Sequence, residues 1–175
     1  AIGVLQLAER IRRLNEPARA STPETDLWFH IGAICARRGG KRGGPECRLN
    51  LPARSARVQL EPQDLELILQ ELMENAAKAE ATVVSVGGLV PDDGSAVFFV
   101  EDDGEGIPDG EQEKIFESWY FNFPGGTGLG LAVVERIVTQ AGGAARAVRL
   151  KKGLRIEITL PVILLAAGAD AEEEE

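Results

Sequence analysis

Two pairs of apolar segments, each joined by a short turn, constrain the fold of this chain most. TVVSVGGL and SAVFFVED, at 82–89 and 95–102, flank the turn formers PDDG. AARAVRL and LRIEITL, at 144–150 and 154–160, flank KKG. Segments joined by such turns pair as antiparallel hairpins, whereas parallel neighbours need a long crossover. The sequence therefore predicts two hairpins and disfavours a strictly alternating parallel fold.

Helical periodicity places the other elements around these hairpins. The longest predicted helix covers 62–80, where leucines recur at the spacing of one helix face. The other predicted elements are a helix at 2–16 that Pro17 interrupts, a helix through LWFHIGAICARR that Thr25 or Asp26 could cap, a strand at ECRLNL and a helix at LAVVERIVTQA. Hairpins separated by helices indicate an α+β fold. We expect a two-layer α/β sandwich, with a mixed, mostly antiparallel sheet covered by helices on one face.

Composition and charge exclude several classes of protein. The formal net charge of −9 argues against a nucleic-acid footprint and against an anionic membrane surface, since both need a basic patch. No segment approaches the roughly 20 apolar residues of a membrane span. The two cysteines, Cys35 and Cys47, are too few for a disulfide framework. They favour reduced thiols and a cytoplasmic location.

The same patterns divide the chain into three parts. Residues 1–25 are expected to form a lead-in helix and a linker. Residues 26–163 are expected to form one domain, because a chain of this length buries a single core. Residues 164–175, which end in AEEEE, are predicted to be a flexible acidic tail.

Three polar residues interrupt the longest predicted helix on one side. Glu71, Asn75 and Lys78 project within an arc of about 60° and border the apolar stripe. A carboxylate there can act as a base, an amide oxygen can coordinate a metal, and an ammonium group can meet phosphate. An ordinary polar boundary of a core helix is the alternative.

A second polar motif, VEDDGEGIPDG, follows an apolar strand. It supplies Asp102, Gly104 and Gly106. Glycines let the backbone approach a ligand closely, and a carboxylate at a strand end can accept a hydrogen bond from an exocyclic amine. The alternatives are a simple acidic turn or a calcium loop, and the helices that flank an EF-hand loop are missing.

The third motif, GGTGLGLAVVERI, places Gly125, Gly126, Gly128 and Gly130 before a helix. Free amide groups and the helix dipole at such a start attract anions such as phosphate. A dinucleotide-binding fingerprint requires a preceding strand, which is missing here. A P-loop ends in GK[ST], which is also missing. In this order the three motifs specify three sides of one nucleotide.

These segments together resemble the ATP-binding catalytic domain of sensor histidine kinases, in the GHKL superfamily. The resemblance covers 46–161 and rests on ELMENAAKA, DDGEGIP, IFE, GGTGLGLAVVERI and the terminal ITLP. It implies the Bergerat fold, with ATP and Mg²⁺ as ligands, and makes 26–163 the ATP-binding catalytic domain. It implies transfer of the γ-phosphoryl group of ATP to a histidine on a separate dimerisation domain. The lead-in helix could be the end of that domain's hairpin.

The resemblance also implies a role for each matching residue. Glu71 corresponds to the acidic residue that polarises the attacking nucleophile, and Asn75 to the asparagine that holds Mg²⁺ against the phosphates. Asp102 corresponds to the aspartate that reads the adenine amine. The other implied ATP-binding residues are Lys78, Gly104, Gly106, Ile107, Phe116, Gly126, Thr127, Gly128, Leu129 and Gly130.

Two features depart from the family pattern. The segment from Lys114 to Arg136, which includes the lid over ATP, has no Lys or Arg between those two residues. A basic lid residue that reaches the γ-phosphate is therefore missing. His30, the single histidine, lacks the acidic neighbour and downstream proline of the phosphoacceptor motif, so the acceptor is expected upstream of Ala1.

The resemblance also implies partners and a location, and it leaves alternative functions open. It implies a downstream response regulator, a homodimeric parent protein and a cytoplasmic location, on a parent that could be membrane-anchored. No nucleic acid and no membrane contact of this chain are expected. The alternatives are a serine kinase of the anti-sigma type, a nucleotide-binding regulatory module with weak or no histidine phosphotransfer, and a conformational ATPase, which would need a large following domain.

Overall fold

A computed structural model describes residues 4–17, 22–38, 44–120 and 126–163. The helices are α1 Val4–Asn15, α2 Leu27–Arg38, α3 Pro62–Lys78 and α4 Gly130–Gln140, with a 3₁₀ helix at Lys114–Phe116. The strands are β1 Glu24–Asp26, β2 Glu46–Asn50, β3 Arg57–Gln59, β4 Val83–Leu89, β5 Ser95–Asp102, β6 Ala144–Arg149 and β7 Leu154–Pro161. The predicted tail at 164–175, Ile2 and Gly125 lie outside the described residues.

The main sheet has five strands in the order β2-β4-β5-β7-β6. Both predicted hairpins are confirmed, because β4 pairs antiparallel with β5, and β6 with β7. The central pair β5–β7 is also antiparallel, whereas β2 runs parallel to β4. The predicted mixed, mostly antiparallel sheet is therefore confirmed.

Side chains alternate across this sheet, and one face is buried under the helices. On β5, Ala96, Phe98 and Val100 are buried while their neighbours are only partly covered. Helix α3 packs on β5, and α4 packs on β6 and β7. On the opposite face, Arg155 stacks 4.4 Å over the Phe99 ring. The result is the two-layer sandwich that the hairpin pattern predicts.

Helix α3 buries the apolar stripe that its periodicity predicts. The buried apolar residues of this helix are Leu65, Ile68, Leu69, Leu72 and Ala76. Pro62 starts the helix, where its missing N–H costs nothing. The helix ends at Lys78, two residues earlier than predicted, and Glu80 adopts a φ of +57°. That left-handed conformation turns the chain out of the helix and toward β4.

A second, two-stranded sheet of β1 and β3 is a feature that the sequence reading missed. These strands have three residues each, which is too short to show alternation. They are held by the buried Thr25, whose hydroxyl donates to Leu60 O. Asp26 then caps α2, because its Oδ1 accepts from Phe29 N at 3.1 Å. Strand β1 crosses the domain boundary predicted between residues 25 and 26.

Helix α1 forms where apolar spacing predicts a helix, but the most buried residues of its packed face are arginines. Leu5 and Ile11 are 86% and 44% exposed, whereas Arg10 and Arg13 are buried. Arg13 pairs with Asp64 on α3. Helix α1 packs against α4, and Glu16 O accepts from Gln140 Nε2 at 2.8 Å. The lead-in helix is therefore docked on the domain through charged groups.

Candidate functional site

A cleft lies between α3, the carboxyl end of β5 and the start of α4. The non-atom space in the cleft, including its open mouth, is about 900 Å³. The predicted site residues that line it are Glu71, Asn75, Lys78, Asp102, Gly106, Ile107, Gly126, Thr127, Gly128 and Gly130. Three segments that lie far apart in sequence thus meet around one cavity.

The polar residues of α3 form one wall of the cleft. Asn75 and Lys78 are half-buried, whereas Glu71 is only 1% exposed. Glu71 lies against the start of α4, where a Cβ on Gly130 would stand 2.5 Å from Glu71 Oε2 and 3.9 Å from Asn75 Nδ2. A side chain at position 130 would displace the carboxylate. The glycine therefore permits the close approach of α4 to this wall of the cleft.

An arginine from the lead-in helix holds the Glu71 carboxylate. Arg10 Nε donates to Glu71 Oε1, and Arg10 Nη2 donates to Glu71 Oε2, both at 2.6 Å. Nη2 also donates to Glu74 Oε2 at 2.8 Å. Arg10 is itself only 1% exposed and lines the cleft. This is a buried, bidentate ion pair, the geometry that best matches a guanidinium to a carboxylate.

Sequence reasoning did not find Arg10. It lies 61 residues before Glu71, in a segment that periodicity marks only as an amphipathic helix. One signal was available, since Arg10 lies one helical turn after Leu7 and before Leu14. An arginine between two apolar residues of one helix face indicates a buried partner of opposite charge.

The environment of Glu71 raises its pKa. Burial raises the pKa of Glu71, and the hydrogen bonds and charge of Arg10 offset part of that rise. A carboxylate whose pKa is raised by burial is a stronger base than one in water. Glu71 is therefore suited to accept a proton in the cleft.

Asp102 ends β5 on the opposite side of the cleft. Its Oδ1 accepts from Gly104 N at 2.9 Å. Burial raises the pKa of Asp102, while hydrogen bonds from the backbone of Gly104 and Leu154 oppose the rise. The turn after β5 packs on the end of α3, because Glu105 N donates to Ala79 O at 3.0 Å. This fixes the Asp102 carboxylate relative to the α3 wall.

The glycine-rich segment closes the third side. Gly126, Thr127 and Gly128 line the cleft, and α4 begins at Gly130. Gly128 has a φ of +66°, and its carbonyl accepts from Trp119 N at 2.7 Å. A helix start next to a cavity presents free amide groups to an anion. This is the predicted location of the phosphates.

Three predicted residues lie beside the cavity without lining it. Leu129 and Phe116 are buried in the hydrophobic layer, at 1% and 6% exposure, and Ile115, the neighbour of Phe116, faces the cleft instead. Gly104 is buried in the turn that holds Asp102. Their roles in ATP binding stay predictions, and the positions indicate support of the pocket wall.

Comparison with known proteins identifies the family. The family described as histidine kinase-, DNA gyrase B- and HSP90-like ATPase matches residues 60–164, which are more than half of the chain. The chain belongs to this family. The sensor histidine kinase CpxA of Escherichia coli is 34% identical over 171 residues, which cover 92% of this chain and 36% of CpxA.

Solved structures of this ATPase family share the fold. A mycobacterial sensor histidine kinase, MprB, superposes with a TM-score of 0.69 at 28% identity, over 81% of this chain and 97% of that one. The histidine kinase domain of the E. coli osmosensor EnvZ gives a TM-score of 0.67 at 27% identity, over 91% and 100% of the chains. The predicted resemblance to the catalytic domain of GHKL histidine kinases is confirmed.

The chain spans about a third of CpxA, since 36% of that protein is matched. Within the described ranges, no helix has the length and apolar character needed to cross a bilayer. His30, the single histidine, is half-buried, and its Nδ1 lies 2.9 Å from Asp26 O. Cys35 and Cys47 are free thiols.

Proposed function

We propose that this chain binds Mg-ATP in the cleft and transfers the γ-phosphoryl group to a histidine on a separate dimerisation domain. It would thus be the catalytic part of a two-component sensor histidine kinase. The observation that carries the proposal is the convergence of Glu71, Asn75, Asp102 and the glycine-rich segment on one cavity. Membership of the ATPase family and the similarity to CpxA support it.

The cleft offers a distinct group to each part of the nucleotide. The Asp102 carboxylate is expected to accept from the adenine amine, because it has more acceptor sites than its backbone partners Gly104 and Leu154 occupy. Ile107 and Ile156 supply apolar surface to the cleft. Lys78 and the amides at the start of α4 are expected to contact the phosphates.

The residues present also fit a magnesium ion, which would be held together with phosphate oxygens. Mg²⁺ prefers oxygen ligands and is usually held by one or two protein groups, substrate phosphates and water. In the described part of the chain, no cluster of three or more Asp, Glu, His or Cys side chains could hold a metal. Asn75 lines the cleft and offers an amide oxygen. Bound there, the ion would neutralise phosphate charge.

Transfer breaks the bond between the γ-phosphorus and the β–γ bridging oxygen and forms a bond to an imidazole nitrogen, with ADP as the leaving group. The attacking nitrogen must present its lone pair, and Glu71 can stabilise the ring proton on the other nitrogen. Catalysis of phosphoryl transfer depends mainly on positioning and charge. The acceptor is proposed to lie on the dimerisation domain of a homodimeric cytoplasmic or membrane-anchored parent, which serves a response regulator.

The decisive experiment supplies the missing acceptor. The chain is mixed with a dimerisation domain from a sensor histidine kinase and with radiolabelled Mg-ATP, and label on histidine is measured. Glu71→Gln is expected to bind Mg-ATP normally and to slow transfer by about 100-fold, in the range of lost general-base catalysis. Arg12→Met, on the exposed side of α1, is the control. Unchanged transfer by Glu71→Gln would contradict the assigned role of Glu71.

A second candidate is a nucleotide-binding regulatory module, or a serine kinase of the anti-sigma type, with weak or no histidine transfer. The absence of Lys and Arg between Lys114 and Arg136 favours it. The same experiment separates the candidates, because this one predicts Mg-ATP binding without label on histidine.

A further inference from the structure

We propose that Arg10 binds the terminal phosphate of ATP, and that helix α1 is therefore part of the nucleotide site. The inference rests on the proposed function, because it needs ATP in the cleft. Arg10 would take the place of the basic lid residue that the chain lacks. It would do so from a segment that belongs to no motif in the sequence.

A triphosphate bound in the cleft needs a second basic side chain besides Lys78. Among the described lining residues, the carboxylates are Glu71 and Asp102, and the cations are Arg10 and Lys78. The segment between Lys114 and Arg136 adds no basic residue. Without Arg10, Lys78 would be the single basic side chain of the described cleft lining facing a highly charged triphosphate. Anion binding in a partly desolvated cleft needs compensating positive charge.

The position of Arg10 matches the far end of a bound nucleotide. The Asp102 turn packs at the Ala79 end of α3 through Glu105 N, so adenine is expected there. Glu71 lies eight residues earlier on the same helix, about 12 Å away along the axis. Arg10 is held at this Glu71 end, where the chain of phosphates would terminate.

The guanidinium group still has donors that point away from the carboxylates. Arg10 has five N–H groups, of which the one on Nε and the two on Nη2 serve Glu71 and Glu74. Nη1 lies 3.5 Å from Thr127 Oγ1, which is long for a hydrogen bond. Thr127 belongs to the glycine-rich segment expected to hold the phosphates. Nη1 is thus directed at the predicted phosphate position.

The docking of α1 fixes this position. The Arg13–Asp64 ion pair and the Gln140 contact to Glu16 O hold the helix on both α3 and α4. Arg12, on the exposed side of the same helix, pairs with Glu9 and Glu16. Arg12 therefore provides a matched control with the same charge and the same helical context.

The test compares Mg-ATP with Mg-ADP, which lacks the terminal phosphate, by isothermal titration of the full chain. Arg10→Met is expected to weaken Mg-ATP binding about tenfold or more and Mg-ADP binding less than about threefold, as for loss of a charge-assisted hydrogen bond. A purely structural role of Arg10 would weaken both ligands equally. Arg12→Met is expected to match the wild type with both.

Each outcome decides the proposal. Equal losses for ATP and ADP, no loss, or tighter ATP binding in Arg10→Met would overturn it while leaving the proposed function intact. If Arg10→Met does not fold, Arg10→Lys replaces it, since one ammonium group held by Glu71 cannot also reach the phosphate. An unchanged ATP-to-ADP preference in Arg10→Lys would then overturn the proposal. If the wild type binds neither nucleotide, the proposed function fails, and this inference fails with it.

Discussion

At the residue scale, the buried pair of Arg10 and Glu71 dominates the electrostatics of the site. Both side chains are 2% exposed, so each has lost nearly all of its hydration. Burying a charge costs several kcal/mol, and a bidentate partner offsets this cost only when the geometry is good. Here both carboxylate oxygens are engaged at 2.6 Å. Glu71 therefore lines the cleft, and its buried carboxylate is stabilised by Arg10 of α1.

Replacing Arg10 should destabilise the folded chain. Arg10→Met leaves the Glu71 carboxylate buried without its partner, and such losses cost about 3–5 kcal/mol. We expect the free energy of unfolding in urea to fall by about 3 kcal/mol at pH 7. Arg12→Met should unfold like the wild type, because the ion pairs of Arg12 are exposed. A loss below about 1 kcal/mol in Arg10→Met would show that the pair is not buried as described.

Gly130 should tolerate no side chain. In Gly130→Ala the new Cβ would lie 2.5 Å from Glu71 Oε2, so either α4 or the carboxylate must move. We expect a loss of about 1–3 kcal/mol in urea unfolding, typical of overpacking, together with weaker Mg-ATP binding. Gly44→Ala is the control, because a Cβ there meets nothing within 4 Å. Equal behaviour of the two variants would contradict the close packing of α4 on Glu71.

At the element scale, a carboxylate outside the cleft ties the start of β4 to the end of β5. Asp103 Oδ1 accepts from Thr82 N at 2.7 Å and from Val83 N at 2.9 Å, and Oδ2 accepts from the Thr82 hydroxyl at 2.7 Å. The hydrogen bond from the Thr82 hydroxyl is the main cause that holds the pKa of Asp103 well below its ordinary value of 3.8. The ionised form is thus favoured in the folded chain.

This contribution should depend on pH in a defined direction. Because the folded pKa is lowered, the stabilisation is fully present above the unfolded value near 3.8 and is lost as pH falls below it. Urea unfolding of the wild type and Asp103→Ala is expected to differ most at pH 5–7 and progressively less below pH 4. Asp92→Ala, in the exposed β4–β5 turn, is the control. A difference that grows toward low pH would contradict the hydrogen-bonding pattern of Asp103.

The helices and strands that could be predicted are those whose sequence pattern lies within a single segment. The leucine spacing of α3 and the alternation in β5 are visible within one segment, so both were predicted nearly to their ends. The pairing of β1 with β3 joins residues far apart in the sequence, such as Glu24 and Gln59, and leaves no local pattern. Helix α1 was predicted as a helix, but Arg10 and Arg13 on its buried face were missed because their carboxylate partners lie on α3.

At the scale of the whole molecule, the lead-in helix and the cleft form one unit. Helix α1 packs on α4, which starts at the glycine-rich segment, and Arg10 of α1 reaches Glu71 on α3. Displacement of α1 would therefore remove the partner of Glu71 and leave α4 less supported. The site motifs were predictable because Asn75, Asp102 and Gly128 each lie in a recognisable segment. The contribution of α1 was not predicted, because the contact of Arg10 with Glu71 forms only in the folded chain.

Isothermal titration of the chain with Mg-ATP shows whether the cleft is an ATP site. We expect saturable binding of one nucleotide per chain. Asp102→Asn should weaken binding about 100-fold or more, because an amide loses the charge and places a donor where adenine needs an acceptor. Asp92→Asn, at an exposed site, should bind as the wild type does. Wild-type affinity in Asp102→Asn, or no binding by the wild type, would contradict the assignment of the cleft as an ATP site.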